Sequence, residues 1–463
     1  MQEIKSRISD FFEKITSEKF FFYYIISVML ALPVFEITDE NHGNLFVSQP
    51  IIVQLAGYVG ISALIIHFLK HQNIKYYLSD LLYLLLFAFA LLSALFTQNK
   101  DATWFGYYYD EWLSHFICYF SLMLAGTMIK DKQLRKNILF VFVIVTIIQT
   151  TAGVLQTFGI YTEECFYDRE WIQPDRLSYG LLQHSNWYGG LSVLLFACTA
   201  CIFLFASNKF IRNALYIISM ICFYTLISSG ARLAWVGTFG FLTFMVISII
   251  VMYRSGYDKA KMKSIIKRFL LLIAGMTAVI AVCILFFNRI IDRLERTSNE
   301  LKTSDYTKFG SSRGTIWKQG LKTVPKHWVF GIGLDNYRDA FLKDPDYHGT
   351  FTQGKGHNEY IHYLVTQGAF QLITYLTLLV YAAKTTVRNV IHNEDNEERF
   401  INWIFLAMFF GYTAQAFFNS SVVNVAPYFW ITIGMCLTQK NQRYFGYSKK
   451  DKTASKKKKP SAE

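Results

Sequence analysis

Two arginines and one histidine in the second half of the chain are the residues best suited to chemistry. Arg232 lies in SSGARLAWVG, Arg313 in SSRGTIWKQG and His357 in GKGHNEYIHYL. A guanidinium group binds phosphate oxygens through two parallel hydrogen bonds, and an imidazole exchanges a proton near neutral pH. Together these residue types fit a reaction in which a phosphate group is bound and then leaves.

Each of the three also has a purely structural interpretation. Arg232 stands at the junction of two apolar blocks, where an arginine is stable when it pairs with a lipid phosphate or a carboxylate. Arg313 taken alone is typical of a solvated surface, and His357 taken alone is typical of a polar boundary. The residues by themselves leave both interpretations open.

A metal site is a weaker alternative in the same region. His357, Glu359 and His362 occur within HNEYIH. Histidines five positions apart do not share a helix face, whereas the pair in HExxH does. We therefore expect neither a metal site nor a cofactor.

The elements that must position these residues are membrane helices. The 463 residues are 53% hydrophobic and 17% charged, whereas soluble proteins are about 25% charged. The apolar residues run in blocks that match the thickness of a bilayer. There are twelve such blocks, at about 19–35, 51–69, 78–97, 112–129, 138–160, 187–206, 212–229, 231–253, 269–287, 359–383, 400–418 and 422–438. The pattern predicts an all-α polytopic membrane protein with about 12 transmembrane helices.

Lysine and arginine are distributed unequally between the two sides of the predicted membrane. Of the 46 Lys and Arg residues, 30 fall in the two terminal segments and in alternate loops, and 4 fall in the remaining short loops. Basic loops stay in the cytoplasm, so both termini are predicted to be cytoplasmic. This distribution also explains the net charge of +13 without a nucleic-acid partner, because no basic stripe lies on a soluble domain.

The blocks divide the chain into five parts. Residues 1–18 predict a cytoplasmic interfacial helix, and residues 19–287 hold transmembrane helices 1–9. Residues 359–438 hold helices 10–12, and residues 439–463 are a basic cytoplasmic tail. Between them, residues 288–358 form a long segment that the alternation places outside the cytoplasm.

The composition of segment 288–358 predicts helices rather than disorder. Ser311 and Ser312 can cap a helix, Gly331 and Gly333 can end it, and Asp335 can cap a second short helix. Loops of this length in compact proteins are usually functional. We therefore predict an extracytoplasmic helical lid.

A transporter or flippase is an alternative to an enzyme as the class of function. Twelve spans with both termini inside would suit it. However, the centres of the apolar blocks contain no Asp or Glu for a coupling ion. The sequence also shows neither a P-loop nor an internal repeat. An enzyme with a structured lid is favoured over a transporter.

The ordered set of motifs resembles the O-antigen ligase and O-antigen polymerase family. SSGARLAWVG, SSRGTIWKQG and GHNEYIHYL occur in the family's order, and DRLSYGLLQHSN resembles its earlier signature through Arg176, Gly180 and Asn186. The resemblance implies a metal-independent, lipid-linked glycosyltransferase with Arg232, Arg313 and His357 in its active site. One departure is Gln367, where the family often has Glu.

The predicted function is an inverting glycosyltransferase in the bacterial cytoplasmic membrane. Its donor would be an undecaprenyl-diphosphate-linked oligosaccharide and its acceptor a glycan hydroxyl at the outer face, with membrane lipids around it. A polymerase and a ligase fit equally well, and the alternative is a transporter or flippase of lipid-linked glycans that carries out no chemistry. Besides the catalytic three, the residues expected to contact substrate are Arg176, Asn186, Trp317, Asn358 and Tyr360.

Overall fold

A computed structural model describes most of the chain. The described residues are 10–37, 48–70, 76–97, 99–106, 112–160, 177–182, 184–254, 258–287, 309–349 and 351–444, with isolated residues at 295, 298, 299 and 302. They are helical and contain no strand, apart from one bridge between Tyr77 and Tyr444. The all-α prediction is confirmed. Arg176, the N-terminal half of the predicted interfacial helix and the Lys-rich tail lie outside the described residues.

Sixteen α-helices are defined within these ranges. They are α1 (Glu18–Ile37), α2 (Ser48–Lys70), α3 (Leu78–Phe96), α4 (Lys100–Phe105), α5 (Leu113–Met128), α6 (Lys132–Thr157), α7 (Ser185–Phe205), α8 (Lys209–Ser228), α9 (Arg232–Arg254), α10 (Lys259–Phe287), α11 (Phe309–His327), α12 (Asp339–Leu342), α13 (Glu359–Gln367), α14 (Ala369–His392), α15 (Asn396–Gln415) and α16 (Ala426–Cys436). A 3-10 turn, Ala416–Phe418, extends α15.

Nine helices in the described part of the chain are long and apolar enough to cross a membrane. They are α2, α3, α6 to α10, α14 and α15. Every predicted block contains a helix, but the predicted count of about 12 is not confirmed. The last block, 422–438, contains only the eleven residues of α16, which at about 1.5 Å per residue are too short to span a bilayer alone.

Short connections make neighbouring helices antiparallel. Residues 206–208 join α7 to α8, residues 229–231 join α8 to α9, and residues 393–395 join α14 to α15. Polar caps start several of these helices: the side chains of Asn208 and Asp395 accept hydrogen bonds from the first backbone amides of α8 and α15. We call the end that contains residues 229–231 the upper end, and the end that contains 206–208 and 393–395 the lower end.

Helix α7 lies at the centre of the bundle, where small residues permit close packing. A Cβ at Gly189 would stand 2.7 Å from the Cβ of Ala231, and one at Gly190 would stand 2.8 Å from Nδ2 of Asn419. Both distances are too short for a side chain. The first turns of α7 therefore contact the start of α9 on one side and the end of α15 on the other.

The predicted block 359–383 is not one helix. Gly368, with φ of +88°, separates α13 from α14. The connection from α11 supplies partners for the backbone groups freed there: the amides of Ile332 and Gly333 donate to the carbonyls of Val365 and Thr366 at 2.9 and 2.8 Å. The prediction was wrong because apolar periodicity runs through Gly368, whereas tertiary hydrogen bonds such as these stabilise the break.

The predicted helices of segment 288–358 are present within its described part, but their starts differ. Helix α11 begins at Phe309, ahead of the two serines expected to cap it. Asp335 is not the cap of α12; it has φ of +56°, and Arg338 is the N-cap residue. Asn336 anchors the segment instead, because its Nδ2 donates to the hydroxyls of Thr97 at 3.0 Å and Thr103 at 2.8 Å.

Candidate active site

His357 lies at the upper end, immediately before α13. The side chain of Asn358 caps this helix, since its Oδ1 accepts a hydrogen bond of 3.0 Å from the amide of Ile361. His357 has φ of +45°, in the left-handed region that β-carbon sterics make uncommon for residues other than glycine. Surrounding contacts must offset the strain of this conformation, which makes His357 a candidate functional residue.

Helix α11 places Arg313 beside this histidine. The indole nitrogen of Trp317 donates a 2.9 Å hydrogen bond to the carbonyl of Gly356, directly before His357. Arg313 precedes Trp317 by four residues, so both lie on the same helix face. The side chain of Arg313 is buried, with 9% of its surface exposed. Contrary to the interpretation as a solvated residue, it is held inside the fold.

The surroundings of His357 keep its imidazole neutral. Burial, and to a smaller extent the charges of Arg313, His184 and Lys355, lower the pKa of His357 to about 3. At neutral pH the ring therefore carries one nitrogen that accepts a proton. The positive charges of Arg313 and Lys355 make the site favourable for an anion.

Lys355 is a site residue that sequence reasoning missed. It is 3% exposed, and its charge lowers the pKa of both His357 and His362. A buried lysine is rare, because taking an ammonium out of water is costly. The only signal in the sequence is its place in GKGHNEY, two residues before His357, where a lysine is otherwise unremarkable.

His184 and Asn186 approach the site from the start of α7. Burial lowers the pKa of His184 to about 4, and its Nδ1 accepts a 3.1 Å hydrogen bond from the amide of Asn186. The influence of His184 on the pKa of His357 places the two rings in one electrostatic environment. Asn186, a predicted substrate contact, therefore lies next to the site, on the first turn of α7.

Arg232 is the first residue of α9 and lies at the same end. Its neighbours Ala231 and Ala234 pack on Gly189 of α7, one turn after His184 and Asn186. The 3-10 turn Ala416–Phe418 contacts both α9 and α13. Arg313, Trp317 and His357 form one cluster, and Arg232 lies at the same end of the bundle as this cluster.

Tyr360 and Glu359 fix α13 on the bundle below His357. The Tyr360 hydroxyl donates to the carbonyl of Thr413 at 3.0 Å. The buried carboxylate of Glu359 accepts hydrogen bonds from the hydroxyls of Tyr375 and Tyr412, at 2.5 and 3.2 Å. These bonds join α13 to α14 and α15, so the position of His357 is set by three helices.

An apolar groove begins at Tyr360 and runs toward the lower end. It has a volume of about 530 Å³ and lies between α9, α14 and α15. Its walls include Phe244, Val251, Leu406 and Phe410, and the lining contains no charged residue within the described chain. The groove suits a hydrocarbon chain whose polar end lies near His357.

The part of the chain that forms this end of the molecule is similar to a known protein family. Residues 217–376 match a family model described as O-antigen ligase. In this range the chain is similar to the O-antigen ligase family. The matched range, about a third of the chain, contains Arg232, Arg313 and His357. A search of curated proteins found no match.

The match supports the predicted family and indicates a membrane protein of surface-polysaccharide biosynthesis. Of the residues predicted to act in it, Arg313, His357 and Trp317 are brought together in the structure. Asn358 caps a helix and Tyr360 lines the groove. Their contacts with substrate, and those of Arg232 and Asn186, stay predictions.

Proposed function

We propose that the protein is a glycosyltransferase of the O-antigen polymerase or ligase type. It transfers an oligosaccharide from an undecaprenyl-diphosphate-linked donor to a glycan hydroxyl at the outer face of the bacterial cytoplasmic membrane. The observation that carries this proposal is the combination of buried cations and a neutral histidine at the upper end of an apolar groove. This arrangement suits a lipid with a diphosphate head.

The donor would bind with its polyprenyl chain along the groove between α9, α14 and α15. Its diphosphate would lie between Arg313, Lys355 and Arg232. Two guanidinium groups and one ammonium group offset the negative charge of a diphosphate in a site with little water, where such interactions are strong. The glycan would extend outward past Trp317, whose ring can stack on a sugar.

The transfer would be a single displacement. The acceptor hydroxyl attacks the anomeric carbon, and His357 takes the hydroxyl proton. The bond between that carbon and the diphosphate oxygen breaks, and its electron pair leaves with undecaprenyl diphosphate. Attack opposite the leaving group inverts the anomeric configuration. The arginines stabilise the charge that develops on the diphosphate, usually the largest contribution to catalysis of this kind. No step requires a metal or a cofactor.

The decisive experiment uses the purified full chain in detergent, with the lipid-diphosphate-linked oligosaccharide as the sole substrate. A polymerase produces lengthened lipid-linked glycan and releases undecaprenyl diphosphate, and both continue in the presence of EDTA. Release only after a separate glycan acceptor is added identifies a ligase. Absence of release with every acceptor would contradict the proposal, and metal-dependent activity would contradict its metal-independent form.

The pH dependence of this reaction tests the role of Lys355. Replacing Lys355 with methionine removes a positive charge near His357 and should raise the pKa of that histidine. Because the base must be neutral, activity declines as the pH falls through its pKa. The acid limb of the pH–rate profile should therefore lie near pH 3 in the wild type and at a higher pH in Lys355→Met.

Lys326 provides the matched control for this profile. It is an exposed lysine at the end of α11, so Lys326→Met should leave the acid limb unchanged. A profile of Lys355→Met that coincides with the wild type would show that Lys355 does not act on the base.

A further inference from the structure

A second groove lies at the lower end of the bundle, away from His357. It is bounded by α6, α7, α8, α10 and α15 and has a volume of about 890 Å³, near the top of the ~300–1,000 Å³ typical of small-molecule sites. It is separate from the groove at Tyr360, with which it shares no lining residue.

The lining of this lower groove changes in polarity along the helices. Its charged and polar residues lie near the helix ends, among them Asn208, Lys261 and Asn396. Further along the same helices it becomes apolar, with Ile218 on α8 and Ile404 on α15. The polar rim would lie at the membrane surface and the apolar wall further into the bilayer. This order matches the polar headgroup and the apolar chains of a lipid.

The charge of the rim is positive. Its lining includes three cations, Lys136, Lys261 and Arg268, and one acid, Glu397. The Nζ of Lys136 lies 2.5 Å from the carboxylate of Glu397, so these two charges offset each other. Among the described residues, no carboxylate lies within ion-pair distance of Lys261 or Arg268. Two positive charges at the rim are therefore not balanced locally.

The two remaining cations are held on one face of α10. Lys261, Ser264, Ile265 and Arg268 all line the groove, with the spacing of one helix face. Arg268 is fixed there because its Nη1 donates to the carbonyls of Leu204 and Ala206, at 2.7 and 2.9 Å. Lys263, on another face of α10, does not line the groove.

We propose that the lower groove binds one anionic phospholipid of the surrounding bilayer. The phosphate headgroup lies between Lys261 and Arg268, and the acyl chains lie against the apolar walls of α6, α8 and α15. A neutral lipid would give the two cations no anionic partner, and a soluble anion would not cover the apolar wall. Basic pockets between transmembrane helices bind anionic headgroups in this way. The site goes beyond the proposed transfer reaction and does not depend on it.

The test is native mass spectrometry of the purified full chain with added phosphatidylglycerol or phosphatidylcholine of identical acyl chains. The wild type should bind phosphatidylglycerol preferentially. Lys261→Gln should weaken that binding about fivefold, the effect of one lysine near a membrane surface, and leave phosphatidylcholine unchanged. Lys263→Gln, on the other face of the same helix, should bind like the wild type.

A second variant tests the apolar part of the site. Ala214→Phe places a larger side chain in the groove from α8 without changing any charge, and should reduce binding of the added phosphatidylglycerol. Three results would overturn the proposal: equal binding of the two lipids, equal weakening by Lys261→Gln and Lys263→Gln, or full binding by an Ala214→Phe protein of unchanged thermal stability. The paired lysine variants decide the question even if Ala214→Phe does not fold.

Discussion

Replacing Arg313 with alanine is expected to reduce the rate of glycan transfer by about 100- to 1,000-fold, the usual effect of removing one group that stabilises developing negative charge. Arg313 is buried near His357 and contributes a positive charge to the site. Its loss leaves the departing diphosphate with fewer partners at the moment when its charge increases. The measurement is the release of undecaprenyl diphosphate by the purified variant.

Two further variants separate catalysis from folding at this position. Arg313→Lys keeps the charge but loses the two-pronged hydrogen-bonding geometry, so its rate should be intermediate. Lys318→Ala changes an exposed cation on the same helix and should retain wild-type activity. If Arg313→Ala inserts normally and keeps more than a tenth of the activity, the arginine does not stabilise the leaving group.

Replacing His357 with asparagine is expected to reduce kcat by about 100- to 10,000-fold, the range for loss of general acid–base catalysis. Asparagine is the most informative replacement, because it tolerates the left-handed backbone conformation that His357 adopts. Its amide can hydrogen-bond to a phosphate oxygen but cannot accept the acceptor's proton. A loss confined to kcat, with KM little changed, would support the role of base.

The outcome also distinguishes the two roles that the sequence leaves open for this histidine. If His357 only binds phosphate, His357→Asn should retain much of the activity and mainly raise KM. His348→Asn is the matched control, since His348 is an exposed histidine of the same segment. Near-normal kcat in His357→Asn would rule out general base catalysis by His357.

The sequence by itself determined the class of the protein and the order of its motifs. A long apolar block is stable in a bilayer as a helix, because every backbone amide must form its hydrogen bond within its own segment. The all-helical fold followed from hydropathy alone. The family followed from Arg232, Arg313 and His357 in their local contexts, which the match at residues 217–376 confirms.

Only the tertiary structure decided which side chains near these motifs are buried together. Lys355 in a polar stretch is indistinguishable from a surface lysine until the fold buries it near His357 and His362. The break at Gly368 depends on hydrogen bonds from residues more than thirty positions away. Both grooves lie between helices distant in sequence. Local patterns set the helices, but burial and charge depend on which helices meet, and that depends on the whole chain.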